Sequence, residues 1–171
     1  MIKTFIIAAV SADGFIAKDE NHPAYWTSKE DKEKFIEHTK RAGVVVMGST
    51  TYATLKRPLA DRLNVVYSRK QTFEGAETTQ DAPKDLLKKL EARGYSEVAI
   101  CGGSHIYTMF LKAHCVDKIY LTIEPKLFGV GINIFNETVN FELKLISSET
   151  TASGSLLVEY DVHYHGGKLA E

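Results

Sequence analysis

The chain has 171 residues, of which 44% are hydrophobic and 25% charged, the composition of one globular domain with its own core. Its 21 Lys and Arg and 22 Asp and Glu give a formal net charge of -1, which argues against the basic surface of a nucleic-acid binder. No run approaches the roughly 20 apolar residues of a membrane-spanning helix. From the charge balance and the lack of such a run, we expect neither nucleic acid nor a membrane as a partner.

The only two cysteines, Cys101 and Cys115, are too few for a disulfide framework, and both have apolar neighbours in the sequence. This pattern predicts two buried thiols in a reducing compartment. The apolar N-terminal segment has no small-residue cleavage site behind it, so it indicates a first strand rather than a signal peptide. We therefore expect a cytoplasmic protein.

Seven short runs of hydrophobic residues predict seven β-strands. The first, residues 5–10, is continuously apolar, as expected for a strand that is buried on both faces of a sheet. The others cover residues 44–47, 63–67, 97–101, 118–123, 141–146 and 156–164. The last two runs flank a short turn at residues 152–155 and predict an antiparallel hairpin.

Four helices are predicted between these strands, over residues 28–41, 49–55, 81–94 and 104–112. Ser28 and Asp81 are suitable caps for the first and third helices, Gly94 ends the third, and Phe35 and Ile36 form the apolar face of the first. Strand–helix alternation followed by a hairpin predicts an α/β domain whose sheet is mostly parallel with an antiparallel edge. We place this domain at residues 1–165 and a flexible tail at 166–171.

Two glycine-containing turns follow buried strands and open helices. Gly48 and Ser49 form one, and Gly102 and Gly103 form the other. Glycine allows close approach of a ligand to the backbone, and a helix N-terminus offers free N–H groups to a phosphate. Two such ends suit a dinucleotide. Each turn also fits a purely structural role, because the second lacks the third glycine of the dinucleotide fingerprint and Ser49 can simply cap its own helix.

Asp31 lies in the first turn of a predicted helix, just after an aromatic loop that contains Trp26. A carboxyl group near apolar walls can have a raised pKa and hold or relay a proton. The alternative is an exposed carboxylate that stabilises the helix dipole, and Glu30 and Glu33 compete for the functional role.

Arg62 stands just before a predicted strand, where it is either a carboxylate clamp or a solvated surface arginine. His163 and His165 alternate on one predicted strand, but no further Cys or His spacing supports a metal site. We therefore expect no metal.

Taken in chain order, these motifs resemble dihydrofolate reductase over roughly residues 2–164. Each motif alone is unspecific, whereas the ordered set is fairly specific. The segments that carry the resemblance are 7–10, Trp26 with Asp31, Phe35 and Thr39, 46–48 with 50–52, 57–59, 62–64, 100–103 with Tyr107, and 120–122. The resemblance implies a three-layer α/β sandwich that transfers a hydride from NADPH to dihydrofolate, with residues 12–25 as a mobile lid. We expect a monomer or a weak homodimer.

The resemblance also implies roles for individual residues. Asp31 binds the pterin ring and promotes protonation of its N5, supported by Thr122 and Trp26. The implied substrate-binding residues are Ile7, Ala9, Phe35, Leu59, Cys101 and Arg62, the last of which pairs with the glutamate carboxylate of folate. The implied cofactor-binding residues are Ala9, Ile16, Gly48, Ser49, Thr50, Thr51, Ser68, Arg69, Gly102, Gly103, Ser104, His105, Ile106 and Tyr107.

Some positions depart from the pattern of that family. Ser49 and His105 stand where basic residues are frequent, and Ser104 replaces a glycine. Arg69 can still meet the 2′-phosphate of the cofactor, which favours NADPH over NADH.

Residues 11–17 are more similar to the reductase domain of riboflavin biosynthesis, which shares this fold and reduces the ribosyl group of a phosphorylated pyrimidine. That domain typically carries Glu before its glycine pair, where this chain has Cys101, and it lacks both the Arg62 clamp and the Trp26-to-Asp31 spacing. Dihydrofolate reduction is therefore the leading prediction. Pyrimidine reduction and a non-enzymatic nucleotide-binding protein are the two alternatives.

Overall fold

The computed structural model describes residues 1–164, and within them the chain forms ten strands, four α-helices and one short 3-10 helix. The strands are β1 (Lys3–Ser11), β2 (Phe15–Ala17), β3 (Val44–Gly48), β4 (Leu63–Tyr67), β5 (Glu77–Thr79), β6 (Glu97–Ile100), β7 (Lys118–Glu124), β8 (Ile132–Asn133), β9 (Glu142–Thr150) and β10 (Leu156–His163). The α-helices are α1 (Lys29–Ala42), α2 (Ser49–Ala53), α3 (Pro83–Ala92) and α4 (Ser104–Lys112), and the 3-10 helix covers Ala24–Trp26.

Eight of the strands form one sheet in the order β5-β4-β3-β6-β1-β7-β10-β9. All neighbours from β5 to β7 are parallel, whereas β10 runs antiparallel to both β7 and β9. The predicted fold class is therefore confirmed, with its mostly parallel sheet, its antiparallel C-terminal strands and its four helices. β2 and β8 pair separately beside this sheet.

Successive residues of the central strands face two different cores, since side chains alternate along a strand. Phe5 and Ile7 of β1 pack on one face of the sheet, together with Phe35 of α1 and Tyr52 of α2. The other face is covered by α3 and α4. The buried residues of these two helices on that face are Leu86, Leu87, Leu90, Ile106, Tyr107, Phe110 and Leu111. The result is a sheet between two helical layers.

Three short strands were not predicted from the sequence. β5 is a polar edge strand of three residues, and none of its residues is buried. β2 and β8 have three and two residues, too short for a hydrophobic pattern. β9 extends four residues beyond the predicted end at Ile146 because it pairs with β10 along residues that are exposed and mostly polar.

Two local predictions about the helices were wrong. Ala82, not Asp81, occupies the N-cap of α3, and the carboxylate of Asp81 instead accepts a hydrogen bond from Lys89 at 2.7 Å. Ile36 does not enter the core but remains 48% exposed. By contrast Ser28 caps α1 as predicted, since its hydroxyl accepts the N–H of Asp31.

None of the helices among residues 1–164 is long and apolar enough to cross a membrane. The predicted tail at 166–171 and the predicted domain end at His165 lie outside the described residues.

Candidate functional site

A cavity of about 1400 Å³ lies at the carboxyl ends of β3, β4 and β6. Residues 48–51, 67–69 and 101–107, which end or follow these strands, form much of its wall, and β1 and the first turns of α1 contribute to it. Ligands of open α/β sheets bind at this end of the strands. The volume exceeds the roughly 300–1,000 Å³ of a typical single-ligand site, so it can hold two ligands side by side.

Most of the residues predicted for the site line this cavity. Those that the structure brings together are Ile7, Ala9, Ile16, Trp26, Asp31, Phe35, Gly48, Ser49, Thr50, Thr51, Ser68, Arg69, Cys101, Gly102, Gly103, Ser104, His105, Ile106 and Tyr107.

Three predicted residues do not line it. Thr122 hydrogen-bonds to Asp31 and, together with it, lines a smaller cavity of about 160 Å³. The side chain of Leu59 packs on the core, and Arg62 is held against the chain by two hydrogen bonds. Its Nε donates to the Ala60 carbonyl at 2.8 Å and its Nη1 donates to the buried hydroxyl of Thr39 at 2.8 Å.

The two glycine turns contact each other in the cavity wall. The N–H of Gly48 donates to the carbonyl of Gly102 at 2.8 Å, and the Gly102–Gly103 peptide is cis. Gly102 has a φ of 115°, and a Cβ there would lie 3.2 Å from the Tyr107 hydroxyl. A Cβ on Gly103 would lie 3.2 Å from Oγ1 of Thr51. Side chains at these two positions would therefore crowd the turn, which explains the need for glycine.

The start of α4 offers unused hydrogen-bonding groups. The N-cap of this helix is Gly103, which has no side chain to satisfy the first N–H groups. Ser104 Oγ is buried and has no hydrogen-bond partner within residues 1–164. An orphaned hydroxyl beside free N–H groups fits a bound anion such as the pyrophosphate of a dinucleotide.

Asp31 is a half-buried carboxyl group in the wall of this cavity, in the first turn of α1. Desolvation raises its pKa, while hydrogen bonding to the side chains of Thr122 and Thr27 opposes the rise. The negative charge of Glu124 raises the pKa further and Lys32 lowers it. Glu30 is partly exposed and does not line the cavity, and hydrogen bonds from its own backbone N–H and from the Ser153 hydroxyl hold its pKa below the usual range. Of these two carboxyl groups, Asp31 is the one suited to hold a proton.

Two further side chains of the wall are neutral at physiological pH. Desolvation raises the pKa of the Cys101 thiol to about 12, so this residue is no thiolate nucleophile. Cys115 is buried as predicted, whereas Cys101 is only partly buried because it faces the cavity. The Tyr107 hydroxyl is buried and donates to the carbonyl of Ile7 at 2.8 Å.

Asp13 anchors the motif at residues 11–17, and its side chain does not face the cavity. Its carboxylate accepts the N–H of Phe128 at 3.1 Å and that of Gly129 at 2.7 Å, and it also accepts the hydroxyl of Ser11 at 2.6 Å. The hydrogen bond from Ser11 is the main cause that lowers the pKa of Asp13. The motif therefore ties the loop after β1 to the loop after β7, while Ile16 and Ala17 reach the cavity wall.

Sequence reasoning missed several lining residues. Lys32 and Ile36 stand one position after Asp31 and Phe35, so helical periodicity places all four on one side of α1. Residues 79–83 reach the cavity from the loop before α3, and Asp19, Glu20 and His22 reach it from the loop after β2. These loops carry no local signal because their place depends on the folding of the whole sheet.

The family model of dihydrofolate reductase matches residues 3–156 of this chain. The dihydrofolate reductase type 3 of Salmonella typhimurium is 36% identical, over 72% of this chain and 74% of that protein. The dihydrofolate reductase of Bacillus subtilis (strain 168) is 32% identical, over 84% of this chain and 81% of that protein.

Two solved structures show the same fold. A pyrimidine reductase-like protein from Corynebacterium diphtheriae has a TM-score of 0.79 at 16% identity and covers 95% of this chain and 92% of its own. A diaminohydroxyphosphoribosylaminopyrimidine deaminase/5-amino-6-(5-phosphoribosylamino)uracil reductase from Thermotoga maritima has a TM-score of 0.77 at 19% identity, over 94% of this chain and 56% of its own. At such identities the likeness concerns the fold alone. On the match of its sequence to the family model, the chain belongs to the dihydrofolate reductase family, whose reductases use NAD(P)H and act on small molecules.

Proposed function

We propose that this protein reduces dihydrofolate to tetrahydrofolate with NADPH. The observation that carries the proposal is the position of Asp31, a half-buried carboxyl group with a raised pKa in the wall of the cavity that the Gly102–Gly103 turn also lines. A carboxyl group poised in this way is suited to general acid–base chemistry near neutral pH.

The chain's own residues fit NADPH at the end of the cavity near α4. Ser104 and the free N–H groups of α4 would hold the pyrophosphate, and the exposed Arg69, which lines the cavity, would bind the 2′-phosphate. When bound, the cofactor supplies the hydride for C6 of the pterin ring.

The remaining residues position the substrate and manage the proton. Ile7, Phe35 and Cys101 form walls against which a flat pterin ring packs. Asp31 holds a proton next to the ring and, with Thr122 behind it, favours protonation at N5. One hydride and one proton together complete the reduction. Loss of NADPH absorbance on adding dihydrofolate is the expected result, and the absence of turnover would refute the proposal.

A second candidate function is the reduction of a phosphorylated ribosylaminopyrimidine. The placement of Arg62 favours it, because the guanidinium is engaged by Thr39 and Ala60 outside the cavity lining. On the side of Asp31, the cation that lines the cavity is Lys32, which forms no ion pair among residues 1–164. A lysine there suits a phosphate monoester as well as it suits a carboxylate.

One set of variants separates the two candidates. If dihydrofolate is the substrate and Arg62 turns to meet its glutamate tail, Arg62→Ala raises the KM for dihydrofolate but not for dihydrobiopterin, which has no such tail. If the pyrimidine is the substrate, the wild type reduces the pyrimidine and does not reduce dihydrofolate. Lys32→Ala then raises the KM for the pyrimidine. Lys29→Ala is the matched control, since Lys29 is exposed on the same turn and pairs with Glu33 at 3.6 Å, outside the cavity lining.

A further inference from the structure

Glu124, the last residue of β7, is a buried carboxylate that has no part so far in the proposed chemistry. Its exposure is only 2%. No cation pairs with it among residues 1–164, and its two oxygens instead accept three hydrogen bonds. Burying a charge is costly unless hydrogen bonds compensate for the lost water, so the partners of this carboxylate indicate what it does.

Two of the three hydrogen bonds come from Ser28, the N-cap of α1. Its N–H donates to Glu124 Oε1 at 2.9 Å and its hydroxyl donates to the same oxygen at 2.7 Å. The Ser28 hydroxyl in turn accepts the N–H of Asp31 at 3.2 Å. Glu124 is therefore two hydrogen bonds away from the backbone of Asp31.

The third hydrogen bond ties this arrangement to the C-terminal hairpin. The buried hydroxyl of Ser155 donates to Glu124 Oε2 at 2.7 Å. In the same turn, Ser153 donates to the Glu30 carboxylate of α1 at 2.8 Å. The end of β7, the start of α1 and the turn between β9 and β10 thus meet at one carboxylate, and the first turn of α1 is held from two sides.

We propose that Glu124 is a positioning residue for the reaction: it fixes the N-terminus of α1 through Ser28 and so holds the Asp31 carboxyl group in the cavity wall. This inference rests on the proposed function only in assuming that Asp31 serves the chemistry. An error in the placement of a reacting group by about 1 Å can cost about 10²-fold in rate, so a buried anchor at this point affects turnover directly.

Glu124 also acts on Asp31 through its charge, because a neighbouring negative charge disfavours ionisation of a carboxyl group. The effect is one contribution among several: desolvation is the largest, and the nearby Lys32 opposes it. The other titratable groups that line the two cavities beside Asp31 include Lys34 and His38 of α1, Glu149 of β9, Glu159 of β10, and Asp19, Glu20 and His22 of the loop after β2. Among residues 1–164, none of these groups forms a hydrogen bond or an ion pair with Glu124.

Two variants separate the geometric role of Glu124 from its charge. In Glu124→Gln the amide oxygen keeps both hydrogen bonds from Ser28, and the Ser155 hydroxyl rotates to accept from the amide nitrogen. This variant keeps the hydrogen bonds that fix α1 and loses the negative charge of Glu124. Glu124→Ala loses both the hydrogen bonds and the negative charge. The matched control is Glu97→Gln, which removes the negative charge of a carboxylate that accepts hydrogen bonds of 2.8 and 2.9 Å from Arg41, at a site outside both cavities.

The first measurement needs neither substrate nor cofactor. Carboxyl-13C NMR of Asp-labelled protein reports the titration of Asp31, assigned by the signal that Asp31→Asn removes. We expect Glu124→Gln to lower the pKa of Asp31 and Glu97→Gln to leave it unchanged. An Asp31 titration that is the same in wild type and Glu124→Gln would overturn the electrostatic part of the proposal.

The second measurement is the rate of hydride transfer with the substrate that the wild type accepts. We expect Glu124→Ala to lose about tenfold or more with unchanged affinity for NADPH, and Glu124→Gln to restore most of the rate below the lowered pKa. If Glu124→Ala does not fold, Ser28→Ala tests the same connection and should slow transfer severalfold. Wild-type rates in these variants would overturn the positioning role. If the wild type reduces neither substrate, the proposed function fails, and the NMR titration still decides whether Glu124 acts on Asp31.

Discussion

Replacing Tyr107 with Phe tests whether the wall of the cavity is held together by a buried hydrogen bond. The hydroxyl donates to the Ile7 carbonyl at 2.8 Å, across two elements that lie 100 positions apart in the chain. Tyr107 is 4% exposed and Ile7 is 7% exposed, so water does not readily replace the lost donor. The phenyl ring itself keeps its packing against Gly102 and the core around α4.

The size of the effect follows from the carbonyl that is left without this donor. An unsatisfied buried polar group costs about 1–3 kcal/mol. For a chain of this length each kcal/mol lowers the melting temperature by about 2–4 °C, so the expected decrease lies at roughly 2–12 °C. Because the phenyl ring remains, the substitution leaves no cavity that would add to this loss of stability.

Thermal and urea unfolding of Tyr107→Phe, followed by circular dichroism, measures the loss of stability. Tyr95→Phe is the control, since this half-buried ring packs against the same core and its hydroxyl has no hydrogen bond within residues 1–164. The reasoning is refuted if the two variants lose equal stability, because the hydrogen bond to Ile7 would then contribute nothing beyond the removal of a hydroxyl.

Three further predictions concern the site. Asp31→Asn lowers hydride transfer by about 10²-fold at neutral pH and leaves the Kd for NADPH unchanged, as stopped-flow kinetics and fluorescence titration can measure; near wild-type turnover would refute the role of Asp31. The same variant should also be more stable than wild type at pH 7. The raised pKa of Asp31 means that the folded protein binds the proton more tightly than the unfolded chain does, so wild-type stability falls as pH rises from about 4 through the folded pKa, and the advantage of Asn should disappear below about pH 4. Arg69→Ala weakens binding of NADPH about tenfold and of NADH far less, because NADPH alone carries the 2′-phosphate; equal losses for both would remove Arg69 as the discriminating residue, and Lys70→Ala, outside the cavity lining, is the control.

Much of the fold could be predicted from local patterns. Continuous apolar runs such as Val44–Met47 of β3 marked the strands that are buried on both faces, and Ser28 and Gly94 marked helix ends. Strands without such patterns were missed. β5 and the outer half of β9 are exposed and largely polar, and they become strands only because a neighbouring strand offers unpaired backbone groups.

Some residues of the candidate site could likewise be predicted from the sequence, and others could not. Gly48, Gly102 and Asp31 could be found from the sequence because each stands at the junction of a strand or loop with a helix, where ligands bind in parallel sheets. The placement of Arg62 against Thr39 and the burial of Glu124 between Ser28 and Ser155 were decided by the tertiary structure alone. Glu124 and Ser28 are 96 positions apart, and no periodicity within a single helix or strand encodes a contact over that distance. Local sequence therefore determined the helices and the strands that are buried in the sheet, whereas the packing of distant segments decided the exposed strands, which charged side chains face the cavity and which hold its wall in place.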